Sequence, residues 1–180
     1  MAIYAAFWRG INVGGKNMIK MAELKKTLEL MGLRQVQTYI NSGNALFESE
    51  EPAAALSERI EAEVLKLQGV SSKVMLRTAE ELERIVKECP YLGEMDENGK
   101  NVHVGLLSEP ASGQQLDKLA DRIGETDEFT VCSLEIYFLY RRSILESRLA
   151  SNVQKLGKQI TTRNMNTMNK LHELAQRMKA

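Results

Sequence analysis

Two tandem ferredoxin-like units, each a split β-α-β fold with a mainly antiparallel sheet, form the α+β architecture predicted for this 180-residue chain, with an extra C-terminal helix. Three observations predict it. Hydrophobic spacing alternates between periods of two and 3.6 in the order β-α-β-β-α-β over the first half. That order restarts after an acidic, turn-rich stretch at residues 93–99. Left-handed-tolerant residues also crowd Asn41-Ser42-Gly43-Asn44, where the order requires a hairpin. Residues 1–92 are expected to hold the first unit with a linking helix, and residues 100–180 the second.

The first strand is read from the alternating aromatic run Ala2–Trp8. A helix over residues 20–31 places Met21, Leu24, Leu28 and Met31 on one face, with Gly32 as its stop. Residues 35–40 and 45–47 are the hairpin strands. Pro52 opens a second helix carrying Leu56, Ile60, Val64 and Leu67, and residues 73–77 form the fourth strand. Thr78 and Glu81 have capping-box spacing for a third helix, which Pro90 ends.

In the second half Val102–Leu107 is a strand, and Ser112 with Gln115 caps a helix bearing Leu116, Leu119 and Ile123. Residues 129–132 and 135–140 form a strand pair. Ser143 and Glu146 are expected to cap the next helix, which carries Leu145, Leu149, Val153 and Leu156. A short strand at residues 159–162 completes the repeat. Met168, Leu171, Ala175 and Met178 mark the last helix. The halves share the order of their elements, while their residues show no evident repeat.

Composition bounds the function classes. Hydrophobic residues are 43% and charged residues 27%, near globular averages, and no apolar run approaches the ~20 residues of a membrane span. The N-terminal apolar stretch is too short for a signal peptide, so a cytoplasmic protein with no membrane partner is expected. Cys89 and Cys132 share no CxxC spacing and have no nearby histidines, so they are expected to be reduced, buried thiols. No metal site is expected, because neither His103 nor His172 has a ligand-type neighbour at the needed spacing. His103 is read as a partly covered histidine and His172 as solvent-facing.

Net charge is zero, which argues against broad non-specific nucleic-acid binding. Its distribution is uneven. Residues 1–28 carry five Lys/Arg against one acid, and residues 141–180 carry nine against two. The stretch between has ten bases against 21 acids. Basic ends therefore flank an acidic middle.

Residues 9–17, reading RGINVGGKN, lie between a strand and a helix. Glycines there let backbone amides turn toward an anion, and a helix start adds partial positive charge. Gly10 to Lys16 formally fits GxxxxGK. Asn17 stands where a magnesium-holding hydroxyl is needed, however, so a P-loop NTPase is rejected. Arg9, Asn12, Lys16 and Lys20, with the amides of Gly14 and Gly15, are the first candidate ligand contacts. Tyr39, Ser42 and Asn44 of YINSGN place polar groups at one sheet end. Arg163, Asn164 and Asn166 of TTRNMNT combine a cation suited to carboxylate or phosphate with helix-capping side chains. Each segment also has a purely structural reading: a close-packing loop, a hairpin turn, and an N-cap.

At RGINVGGKN, YINSGN and TTRN the chain resembles a bacterial family catalogued as a domain of unknown function, number 1697. The resemblance spans nearly the whole length and implies ferredoxin-like subdomains, with no activity, cofactor or substrate attached. The chain departs from the family pattern at Met165, where a tryptophan is expected, and at Asn41, where glutamine is more usual.

The leading functional expectation is a small phosphate- or carboxylate-bearing ligand, held where both basic ends meet in one polar pocket. Whether catalysis occurs, and with what cofactor, is open, since no general base or nucleophile elbow is evident. The alternatives are an RNA-binding sheet with Tyr39 and Phe47 stacking on bases, and an interaction or homodimer scaffold pairing through an edge strand at residues 137–140.

Overall fold

A computed structural model describes residues 1–180. The first sheet contains β1 (Ala2–Trp8), β2 (Arg34–Tyr39), β3 (Asn44–Ser49) and β4 (Val74–Thr78) in the order β2-β3-β1-β4, every pair antiparallel. The second contains β5 (Val102–Leu107), β6 (Glu128–Cys132), β7 (Glu135–Leu139) and β8 (Ile160–Asn164) in the order β6-β7-β5-β8, again all antiparallel. Renumbered within each half, the two orders are identical. Two four-stranded antiparallel sheets with helices thus realise the duplicated split β-α-β plan.

Helices α1 (Met21–Leu30) and α2 (Ala53–Gln68) cover one face of the first sheet. Tyr4, Ala6 and Trp8 alternate on β1, pointing with Phe47 into a core shared with Leu24, Leu28, Leu56, Ile60 and Val64. Full burial of an aliphatic side chain of this size contributes about 1.5–3 kcal/mol. The second sheet packs in the same way against α4 (Gly113–Ala120) and α5 (Arg148–Gln154), through Ile136, Phe138, Leu119, Leu149 and Val153.

In each half a further helix follows the fourth strand without an intervening residue: α3 (Ala79–Lys87) after β4, and α6 (Met165–Lys179) after β8. The α3 capping box is present, with the Glu81 amide donating to Thr78 Oγ1 and the Thr78 amide donating to the Glu81 carboxylate. At the matching junction the Thr167 amide donates to Asn164 Oδ1 at 2.9 Å. The repeating unit is therefore one helix longer than β-α-β-β-α-β.

The chain divides into two compact units, Met1–Arg84 with Asn169–Ala180, and Ile85–Met168. This division runs through α3 and α6, whereas the sequence reading keeps α6 whole with residues 100–180. Within the first unit Lys179 Nζ lies 3.6 Å from Glu80 Oε1, linking the end of α6 to the start of α3.

Two elements depart from expectation. Ser147, not Ser143, caps α5 by accepting the Ala150 amide, and residues 144–146 form a 3-10 turn that leaves Leu145 97% exposed. Ser147 Oγ also donates to Asp127 Oδ2 at 2.6 Å, which fixes the helix start there. β8 extends through Asn164, so the whole TTRN segment is strand and passes directly into α6, with Asn164 as the cap.

Candidate functional site

Residues 9–20 connect β1 to α1 through an unusual number of left-handed backbone positions. Gly14 (φ 59°) and Gly15 (φ 73°) form the two-residue turn of a miniature hairpin, in which the Lys16 amide donates to the Val13 carbonyl at 3.0 Å. Two consecutive left-handed residues are what a type I′ turn requires. The Asn12 amide donates to the Asn17 carbonyl at 3.1 Å and closes the next rung. The Lys16 amide is thus already engaged within the loop. In a P-loop it would point at phosphate.

Asn12 holds this loop to its neighbour. Its Nδ2 donates to the carbonyls of Ile19 (2.9 Å) and Asn41 (2.8 Å), while its Oδ1 accepts the Ile19 amide (2.8 Å). The second of these bonds joins the Gly-rich loop to the β2–β3 turn. Asn12 itself sits at φ 55°, a conformation asparagine tolerates better than most residues.

The β2–β3 turn is equally constrained. Asn44 is fully buried, with Nδ2 donating to the Tyr39 carbonyl (3.0 Å) and to Ser42 Oγ (3.1 Å). Gly43 sits at φ 93°, and a Cβ there would come within 2.6 Å of Ile11 Cδ1, so only glycine fits. Ile40 is at φ 49° although β-branched and 48% exposed. A bulky residue held left-handed costs about 1–3 kcal/mol.

Among the candidate contacts of the first unit, the structure joins the loop of Arg9, Asn12, Gly14, Gly15, Lys16 and Lys20 to the turn of Tyr39, Ser42 and Asn44. Gly14, Gly15, Lys16, Lys20 and Ser42 are exposed, whereas Arg9 and Tyr39 are half-buried. Lys20 occupies the N-cap of α1 in extended conformation, with no side chain accepting from the helix amides. The first amides of a helix have no intrahelical partner. They carry the positive end of its dipole. The amide groups of Asn12 and Asn44 hold the two segments in place.

Arg163, Asn164 and Asn166 lie in the second unit. Arg163 is 8% exposed on β8, opposite Val104 of β5, and its Nη1 donates to Thr161 Oγ1 (2.9 Å) and the Thr162 carbonyl (2.8 Å). Burial pushes its pKa down to about 10, which leaves it charged at neutral pH. Asn164 is the α6 cap, and the exposed Asn166 donates its amide to the Gly99 carbonyl at 3.3 Å. Arg77 has the same setting in the first half. It precedes the cap Thr78, is 4% exposed, and donates from Nη1 to the preceding carbonyl, that of Leu76, at 2.9 Å. The sequence reading missed this pair, because Leu-Arg-Thr and Thr-Arg-Asn share only the arginine.

Other expectations change with the geometry. Phe47 is fully buried in the core and has no face for a base. β7 is an interior strand, paired with β5 and β6, so residues 137–139 are not an edge. His172 is half-buried, with Nδ1 enclosed and lacking a partner, instead of facing solvent. His103 is half-buried edge-on to Tyr140, with Nε2 against the Lys100 carbonyl, and burial lowers its pKa. No helix is long and apolar enough to cross a membrane.

A split β-α-β unit present twice, with a clamped glycine- and asparagine-rich loop in the first copy, defines a duplicated α+β class of protein. The chain belongs to the family described as protein of unknown function, DUF1697, whose model matches residues 1–137. That span includes the loop and the turn joined by Asn12 and ends before Arg163. Among solved structures the chain is similar to the conserved bacterial protein SP0830 from Streptococcus pneumoniae. The two share 27% identity at a TM-score of 0.78, over 97% of this chain and 98% of that one. Comparison with curated proteins finds no match.

Proposed function

We propose that the end of the first sheet formed by residues 9–20 and 39–44 binds a small phosphate- or carboxylate-bearing ligand. The observation that carries this reading is the rigid junction at Asn12, which holds the strained Ile40 turn against a loop rich in left-handed residues. Strain maintained at an exposed surface is a mark of sites that must present a fixed geometry. Lys16, Lys20 and the uncapped start of α1 supply positive charge there, and the glycine amides lie on an exposed turn. Such a site would select by charge and shape. Any chemistry performed there would draw on positioning and charge stabilisation.

The test is a thermal-shift screen of nucleotides, sugar phosphates, inorganic phosphate and small carboxylates, followed by calorimetry on the best compound. Loss of one charge-assisted contact costs about 1.5–3 kcal/mol, so Lys16→Ala or Lys20→Ala should weaken binding roughly tenfold or more. Equal affinity in wild type and both variants would remove the site from these loops. Steeply salt-dependent binding of oligonucleotides, with no response to the compounds, would favour the nucleic-acid reading instead.

A further inference from the structure

The two cysteines, 43 residues apart in sequence, both lie in the second unit. The turn after α3 packs on the second sheet, held there by side-chain contacts. Arg141 Nη2 bridges Glu94 (2.8 Å) and Glu128 (2.6 Å), and the Tyr91 hydroxyl bonds Thr130 Oγ1 at 2.7 Å. Cys89 lies between Tyr91 and the Ile85 carbonyl, which accepts the Tyr137 hydroxyl at 2.8 Å, and its thiol is near enough to Cys132 for the two to interact electrostatically. Thr130 and Cys132 share one face of β6, because residues two apart on a strand point the same way. That face is turned toward the Tyr91 segment, as the Tyr91–Thr130 bond requires.

We propose that Cys89 and Cys132 form a reversible intramolecular disulfide, with a peroxide as the oxidant. The exposures set the order of events: Cys132 is half-exposed and Cys89 only 6% exposed. Burial raises the Cys89 thiol, the Tyr91 amide lowers it, and the neighbouring Cys132 raises it further. Peroxide therefore meets Cys132 first. The Cys132 thiolate attacks one peroxide oxygen, the O–O bond breaks, and the departing hydroxide takes a proton to become water. Cys132 is left as a sulfenic acid. Cys89 then gives up its proton and its sulfur attacks the Cys132 sulfur; the S–S bond forms, the S–O bond breaks, and a second water leaves. Two thiols have supplied two electrons, and one peroxide has become two waters. A dithiol reductant reverses the step by exchange. The bond would tie the end of α3 to the outer strand of the sheet.

The experiment uses the full chain, reduced, freed of reductant and exposed to equimolar hydrogen peroxide before alkylation and intact mass measurement. The expected product is a monomer lighter by about 2 Da that takes up no alkylating agent, with both properties reversed by dithiothreitol. Peptide mapping should recover residues 89 and 132 in one linked fragment. Cys89→Ser should stop at a Cys132 sulfenic acid that reacts with dimedone. The half-exposed Cys132→Ser variant, which leaves the buried thiol in place, should show Cys89 resisting oxidation. Two alkylatable thiols after peroxide, a sulfinic acid at Cys132 beside a free Cys89, or a disulfide joining two chains would each overturn the proposal.

Discussion

Arg77 in the first unit and Arg163 in the second occupy the same place in the repeat. Each is the penultimate residue of the fourth strand, is nearly buried, and has Nη1 on the carbonyl of the residue before it. Each is followed by the side chain that caps the next helix, Thr78 or Asn164. An arginine read in isolation at position 163 looks like a ligand contact. Set beside its counterpart it reads first as a component of the repeat, placed where strand passes directly into helix. The β1–α1 and β5–α4 connections teach the opposite lesson. The first is a clamped, left-handed loop ending at an uncapped helix, while the second ends in a capping box at Ser112 and Gln115. The proposed ligand site lies where the two copies differ, in the first unit.

The largest expected effect separates two tight glycines. Gly43→Ala meets both a positive φ and a Cβ contact at 2.6 Å, whereas Gly105→Ala meets only crowding, 2.5 Å from Ile160 Cδ1. Urea unfolding should show a loss of about 2–4 kcal/mol at Gly43, and about 1–3 kcal/mol at Gly105, where a flexible side-chain end can give. The arginine pair comes next. Arg77→Ala and Arg163→Ala should each cost about 1.5–3 kcal/mol if both serve the repeat. An Arg163→Ala protein of wild-type stability that has lost ligand binding would break the equivalence. The smallest effect concerns the caps: Thr78→Ala and Asn164→Ala should each remove about 1 kcal/mol. Asn164→Asp should retain most of it, since aspartate accepts the same amide and suits a helix start.

Much of the architecture is legible in the sequence because its signals are local. Leu24 and Leu28, or Leu56, Ile60 and Val64, repeat at helical spacing, and the Thr78–Glu81 and Ser112–Gln115 boxes form as their spacing predicts. The end of β8 is harder to read because Thr161 and Arg163 are polar yet buried, which hides the apolar–polar alternation of a half-buried strand. The sequence misplaces the start of α5 because Ser143 and Glu146 imitate a capping box, and the partner that fixes Ser147 is Asp127, twenty residues away. For the candidate site, the sequence singles out two loops that the structure joins, without assigning the work of each side chain. Nothing in RGINVGGKN reveals that Asn12 reaches the Asn41 carbonyl, a contact across 29 residues. The nearness of Cys89 to Cys132 is hidden for the same reason, since it depends on how the turn after α3 packs on the second sheet.

The assignment of Asn169–Ala180 to the first unit has a consequence for biosynthesis. A ribosome delivers Met1–Arg84 early, then all of Ile85–Met168, before the segment that finishes the earlier unit emerges. At typical elongation rates that interval is roughly 4–17 seconds, long compared with the folding of a small domain. The nascent first unit must wait with part of its surface uncovered, and deleting Asn169–Ala180 would injure the portion of the protein made first.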